Sequence, residues 1–297
     1  MNNLLKGHDM GDTNWESSRH KVLSFDKGVP REFTDTVAVE EPVEIRLLYP
    51  EKGEYTSVAV TTLMRTPGDD FELAAGFLYT EGIVDSYDLI ADINYCVGES
   101  GPQEFNIVNV TITSMEDVHF HNVDRNFYVS SGCGVCGTKT IEALRGKYER
   151  IAPLELDAAY PAFGEELISA FPNKVREMQP LFDVTGGVHA AGLFDAQGTL
   201  VEVREDVGRH NAVDKVIGSQ LRRYNLPLMD HILVVSSRAS YDIVQKAISA
   251  RIPVIVAVGA PSSLAIDLSQ QYGLTLVGFA RGNSFNVYSG HQRIRYT

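Results

Sequence analysis

The sequence predicts an α/β protein in which a larger C-terminal α/β domain follows a smaller α+β domain. Three observations lead there. Residues 36–65 hold two runs of alternating apolar and charged positions separated by a turn, the pattern of half-buried strands. From about residue 189, short continuous apolar runs alternate with amphipathic segments, the pattern of a sheet covered by helices. Between them lies "SSGCGVCGTKT", Ser130 to Thr140, where two cysteines, three glycines and a lysine follow neither pattern.

Taken in order, residues 1–32 are polar with little periodicity and read as a loose N-terminal extension. "TVAVEEPVEIRLLYP" and "YTSVAVTTLMRTP" then form a β-hairpin around the turn-forming "EKGE". A helix starts at Asp69 or Asp70, carries Phe71, Ala74, Ala75 and Leu78 on one face, and stops at Gly82. "FNIVNVTITS" returns to strand, which makes residues 33–128 a small α+β domain. Residues 129–138 are the glycine-rich loop that carries Cys-x-x-Cys, and residues 139–297 the α/β domain. Within the latter, "TIEALRGKYERI" reads as a short helix, and Pro172 interrupts or ends the helical pattern of "FGEELISAFPNKVREMQP". Two strands turn at Gln197-Gly198, "GRHNAVDKVIGSQLRRY" is an amphipathic helix, and "HILVVSS" to "LTLVGFA" reads strand, helix, strand, helix, strand.

A net charge of -13 with no compensating basic stripe argues against a nucleic-acid partner, because a polyphosphate would be repelled. It leaves room for one phosphorylated ligand held by backbone amides and a few arginines. The apolar runs are too short to span the roughly 30 Å of bilayer hydrocarbon, and no secretory signal pattern opens the chain, so the expectation is a cytoplasmic protein without membrane insertion. Three cysteines do not make a disulfide scaffold and point to metal binding or thiol chemistry.

In open α/β sheets, ligands sit beyond the carboxyl ends of the strands. There the sequence places Ser236, Ser237 and Arg238, and, after the last strand of the series, Phe279, Ala280, Arg281, Gly282, Asn283 and Ser284. Hydroxyls and a helix N-terminus bind an anion, and an arginine beside a glycine loop clamps another part of the ligand. The same residues also serve as helix caps and solvated cations.

Four chemistries compete for the cysteine cluster. Gly132 and Gly137 have phosphate-loop spacing, but Thr138 separates Gly137 from Lys139 and turns the helix start by roughly 100°. Zinc would need Cys133 and Cys136 joined by His119 and His121, whose proximity no spacing establishes. The deaminase-like special case of a zinc site fails because Ala191 stands where the glutamate after His189 belongs, and the cysteine pair precedes that histidine. Thiol–disulfide exchange and sulfur carriage as a persulfide both remain, since the glycines open the turn and a following helix N-terminus with Lys139 favours a thiolate.

From about Pro42 to Tyr288 the chain resembles the FdhD/NarQ-like formate dehydrogenase accessory sulfur carriers, through "AAGFLYTEGIV", "SGCGVCG", "TGGVHAAGLF", "EDVGRHNAVDKVIG", "LVVSSRASYDIVQKA" and "TLVGFARGNSFNVY" in that order. That resemblance implies a larger domain with a cytidine deaminase-like fold, a homodimer, and a sulfurtransferase-type carrier. It would accept sulfur from a cysteine desulfurase and pass it to the molybdenum bis(molybdopterin guanine dinucleotide) cofactor destined for formate dehydrogenase, holding no metal of its own. Cys133 matches the family's persulfide cysteine, Cys136 its second cysteine, and Phe279 to Ser284 its cofactor loop. Asn283-Ser284 stand where many members have Gly-Arg, so one cation is missing, for which Arg238 or Arg209 compensates. His189, Arg209 and His210 match family motifs and join the cofactor-binding candidates. The competing reading is a cofactor chaperone or redox protein without sulfur transfer.

Overall fold

The computed structural model describes residues 15–96, 105–114, 118 and 162–296. Cys133, Cys136, Lys139, His119, His121 and the helix expected in "TIEALRGKYERI" lie outside the described residues.

The chain enters through β1 (Ser17–Asp26) and β2 (Val29–Ala38), an antiparallel pair that corrects the expected loose extension. Most of its side chains are exposed, so no buried face imposed the apolar alternation by which a strand is recognised. The turn signal is local: Lys27 and Gly28 both take positive φ, as a two-residue hairpin turn requires. β2 rests on the short helix Pro180–Thr185.

The small domain is a four-stranded sheet in the order β4-β3-β6-β5, built from β3 (Glu41–Glu51), β4 (Glu54–Arg65), β5 (Ile90–Tyr95) and β6 (Ile107–Ile112). β3 and β4 form the expected hairpin, whose turn places Lys52 and Gly53 at positive φ. Val43, Ile45 and Leu47 of β3 and Val108, Val110 and Ile112 of β6 point at α1 (Asp70–Thr80), burying Leu73, Ala74, Ala75 and Leu78 beneath the sheet. The helix ends before Gly82, which takes the left-handed conformation anticipated for the stop.

The larger sheet has the order β13-β12-β11-β10-β8-β9, with β8 (His189–Phe194), β9 (Leu200–Asp206), β10 (Ile232–Val235), β11 (Val254–Ala257), β12 (Thr275–Arg281) and β13 (Ser284–Ser289). β10, β11 and β12 are parallel, and the pairs at either side are antiparallel. It is a mixed α/β sheet covered on both faces. Leu233, Val235, Ile255, Ala257 and Leu276 face α4 (Arg209–Arg222), α5 (Tyr241–Ser249) and α6 (Ser263–Gln271). The alternate positions Ile232, Val234, Val254, Val256 and Val277 face α2 (Glu165–Arg176). Burial on both sides is why these strands read as unbroken apolar runs.

Pro172 lies inside α2 instead of ending it. An interior proline costs about 3 kcal/mol. Ile168, Phe171 and Val175 each gain roughly 1.5–3 kcal/mol by burial on one stripe, which outweighs that loss. The helix α3 (Pro180–Thr185) follows, and β7 (Phe163–Gly164) pairs in parallel with the terminal β14 (Ile294–Arg295).

The two sheets meet through their helices. α1 lies against α4, and the crossing occurs at Gly76 and Gly218. A Cβ on Gly76 would stand 1.9 Å from the Asp214 carbonyl oxygen, and one on Gly218 1.9 Å from that of Glu72. Only glycine permits backbones so close.

Candidate functional site

The carboxyl ends of β10, β11 and β12, together with the ends of β8 and β9 that pair beside them, form one edge. Three helices begin there, because α4 follows β9, α5 follows β10 and α6 follows β11. Ser262 caps α6 by accepting a hydrogen bond from the Ala265 amide. Gly208 and Ser240, the caps of α4 and α5, make no such side-chain bond. The first turns of α4 and α5 therefore carry no side-chain cap at this edge, and their dipoles favour negative charge.

Every described candidate from the sequence falls on this edge. His189 opens β8 opposite Asp206, the last residue of β9. The Ser236 hydroxyl accepts a 2.9 Å hydrogen bond from the Ala190 amide and ties β8 to the end of β10. Ser237 is buried and donates to the Arg238 carbonyl oxygen at 3.0 Å. Both hydroxyls thus serve the backbone, and Ser240, not Ser236 or Ser237, takes the cap position of α5. Arg238 is exposed and packs over Gly259, where a Cβ would come within 3.0 Å of it.

The loop expected over 279–284 is shorter in the structure: Phe279, Ala280 and Arg281 end β12, Ser284 opens β13 and pairs with Arg281, and only Gly282-Asn283 turn the chain between them. Phe279 is exposed with φ +54°, and Gly282 also has positive φ. Ala280 is buried between them and anchors the turn to the α2 side of the core. A phenylalanine in the left-handed region costs on the order of 1–3 kcal/mol. The conformation is held by the Phe279 amide, which donates to the Gly259 carbonyl oxygen at 3.1 Å, and it keeps the ring on the surface. The Arg281 guanidinium lies 5.9 Å from that ring's centroid and donates to the Val258 carbonyl oxygen at 3.5 Å. Asn283 and Ser284 are exposed, and the Ser284 hydroxyl donates to the Arg281 carbonyl oxygen at 3.3 Å.

Arg209 and His210 form the first turn of α4. Arg209 Nε is buried with no hydrogen-bond partner among the described residues, so donor capacity of this cation is retained at the edge. His210 Nε2 lies 3.4 Å from the Ser240 hydroxyl and 3.5 Å from Asp242 Oδ2. Burial pushes the His210 imidazole down to about 4, overcoming Asp242. Burial, and then the charge of Arg209, lowers His189 as well. At neutral pH the edge therefore offers two uncharged imidazoles, three guanidiniums and two helix N-termini without a side-chain cap, an arrangement suited to an anionic ligand with a flat group.

Sequence reasoning missed Asp206, Ser240, Asp242 and Gly259. "VGAPSS" after an apolar strand was the available signal for Gly259, whose amide donates to Ser237 O at 3.0 Å. Asp206 shows nothing in sequence beyond its place before Val207-Gly208, because its partners come from distant segments.

Among the described residues, no helix is long and apolar enough to cross a membrane. The family model described as the FdhD/NarQ family matches residues 38–295. A protein of Mycolicibacterium paratuberculosis named sulfur carrier protein FdhD is 46% identical over 281 residues, covering 94% of this chain and 98% of its own. One of the same name from Saccharolobus solfataricus is 42% identical over 261 residues, covering 88% and 91%. A solved structure from Desulfotalea psychrophila, described as a formate dehydrogenase accessory protein, superposes with a TM-score of 0.69 at 27% identity, covering 94% of this chain and 99% of its own. With matching this extensive, the chain belongs to the FdhD/NarQ family.

Proposed function

We propose that this protein is a cytoplasmic, homodimeric sulfur carrier that takes sulfur from a cysteine desulfurase on Cys133 and delivers it to the molybdenum bis(molybdopterin guanine dinucleotide) cofactor before that cofactor enters formate dehydrogenase. The observation that carries the reading is the 46% identity, over 94% of the chain, to a protein named as a sulfur carrier. The sheet edge supports it with the cations and helix N-termini that a guanine dinucleotide's phosphates need, and the exposed Phe279 ring offers a flat surface to a base. In this reading the larger domain is a cytidine deaminase-like fold put to binding, with Ala191 where a deaminase needs glutamate.

The chemistry balances with the two cysteines alone. Cys133 thiolate attacks the outer sulfur of the donor's persulfide, forming the Cys133 persulfide as the donor cysteine leaves as thiolate. Cys136 thiolate then attacks Cys133 Sγ. That step forms the Cys133–Cys136 disulfide and expels the outer sulfur as sulfide to the cofactor, the two thiols supplying both electrons.

The test is mass analysis of the Cys133 peptide after incubation with a cysteine desulfurase and free cysteine. Wild type gains one sulfur atom and Cys133→Ala does not; gain undiminished in Cys133→Ala overturns the assignment. A chaperone without sulfur transfer would still support formate dehydrogenase when both cysteines are replaced, whereas a carrier supports none.

A further inference from the structure

The end of β4 reaches across to the sheet edge through one buried carboxylate. Asp206 is fully buried, accepts three hydrogen bonds and pairs with one ammonium. Its Oδ1 receives the Gly208 amide at 2.7 Å and the Asn211 side-chain amide at 2.9 Å. Its Oδ2 receives the Thr66 amide at 3.2 Å and lies 2.8 Å from Lys215 Nζ in an ion pair. The contact is reciprocal, because the Val207 amide donates to the Thr66 hydroxyl at 3.1 Å. Lys215 also donates to Thr66 O at 3.1 Å, and Asn211 to Met64 O at 2.7 Å. Thr66, Lys215 and Asn211 are themselves buried. The backbone clasped in this way, Val207-Gly208, leads directly into Arg209 and His210.

We infer that the clasp of the Asp206 carboxylate and the Thr66 hydroxyl on Val207-Gly208 is a positioning device, through which the small domain sets the α4 N-terminus and so aims Arg209 and His210 at the ligand. The inference rests on the anionic-ligand reading of this edge and adds a coupling between the domains. A buried carboxylate with three hydrogen-bond donors and a paired ammonium is held to a single geometry, since any displacement strands charge away from water. Thr66 belongs to the small domain and hydrogen-bonds none of the candidate ligand residues: its amide donates to Asp206 and its hydroxyl accepts from the Val207 amide, so the hydroxyl acts on the edge through Val207. A group that orients a binding residue from behind acts on affinity without touching the ligand.

Four variants of the full chain test this, with GDP as the probe in calorimetry and the histidine imidazole resonances as a readout that needs no ligand. Asp206→Asn and Thr66→Val are expected to weaken GDP by about tenfold, the scale on which supporting groups act, and to shift the His189 and His210 resonances. Thr66→Ser restores both. Thr66→Val changes no charge, so its resonance shifts report displacement, and it decides the matter if Asp206→Asn fails to fold. Glu202→Gln is the control: Glu202 is buried and bonds Ser219 and Gln220 near the other end of α4. It should lower the melting temperature and leave GDP affinity and the His210 resonance unchanged. Wild-type affinity and resonances in folded Thr66→Val overturn the inference, as does an equal loss of affinity in Glu202→Gln. Failure of wild type to bind GDP counts instead against the guanine-dinucleotide reading, and the resonances then decide the role of the clasp.

Discussion

His210 carries an electrostatic prediction of its own. Folding holds its imidazole near 4 by burial, against an ordinary value of 6.5, with Arg209 and Lys246 acting in the same direction and Asp242 and Glu81 opposing. Between those values the unfolded chain binds more protons than the folded one, so stability rises with pH there. The contribution is complete above about pH 6.5 and is lost as pH falls towards 4, and His189, lowered by burial and Arg209, adds in the same sense. Urea unfolding at pH 7 and pH 5 should therefore show lower stability at pH 5, with a smaller difference in His210→Gln. An unchanged difference would show that the titration lies elsewhere. Phe279 makes a separate point at this scale, because its left-handed backbone was invisible in "VGFARGN" and follows from the Gly259 carbonyl and the reversal into β13.

Among elements, the crossing of α1 and α4 is the most sensitive to change. Alanine in place of Gly218 would gain roughly 1 kcal/mol of helix propensity, yet its Cβ would meet the Glu72 carbonyl oxygen at 1.9 Å. Backbone cannot yield as a side-chain tip does, so Gly218→Ala should destabilise by about 1–3 kcal/mol or more, the range of overpacked cores, with Gly76→Ala alike. Chemical denaturation measures this, and a stabilised Gly218→Ala would mean that the helices are farther apart. The elements themselves were largely legible: β3, β4, α1, β6 and the run from β8 to β12 follow from apolar period and from glycine or proline stops. The β1–β2 hairpin was not, because it buries no face, and the continuation of α2 through Pro172 was not, because the core contacts of Ile168, Phe171 and Val175 outweigh the missing hydrogen bond.

At the scale of the whole molecule, polar groups join the domains. Lys246 and Asp214 are buried in a pair with Nζ–Oδ2 of 2.8 Å, and Thr80 of α1 donates to Asp214 Oδ1 at 2.8 Å and accepts from Lys246 at 3.0 Å. Gln245 donates to the Thr80 carbonyl at 3.2 Å, so α1, α4 and α5 are tied at one point. Lys246→Met would leave a buried carboxylate without its counter-charge, at a cost of about 3–5 kcal/mol, whereas joint replacement by neutral groups can be close to neutral. Denaturant unfolding should accordingly place Lys246→Met well below wild type and the double variant Asp214→Asn/Lys246→Met above the single one. If the double variant is no more stable than Lys246→Met, the pair contributes something other than mutual compensation. Because the joint ties helices that pack on both sheets, loss of structure should remain one transition.

The sequence by itself determined the order and type of most elements, the edge where Ser236, Arg238 and the 279–284 loop gather, and the family, since those depend on local period, punctuation and motif order. Tertiary structure alone decided that α1 meets α4 backbone to backbone, that Asp206 and Asp214 are buried hubs, and that Arg209 Nε is buried without a hydrogen-bond partner among the described residues. The physical reason is range. A strand's alternation is written in neighbouring residues, whereas burying a charge or closing two helices on paired glycines requires partners more than a hundred positions away.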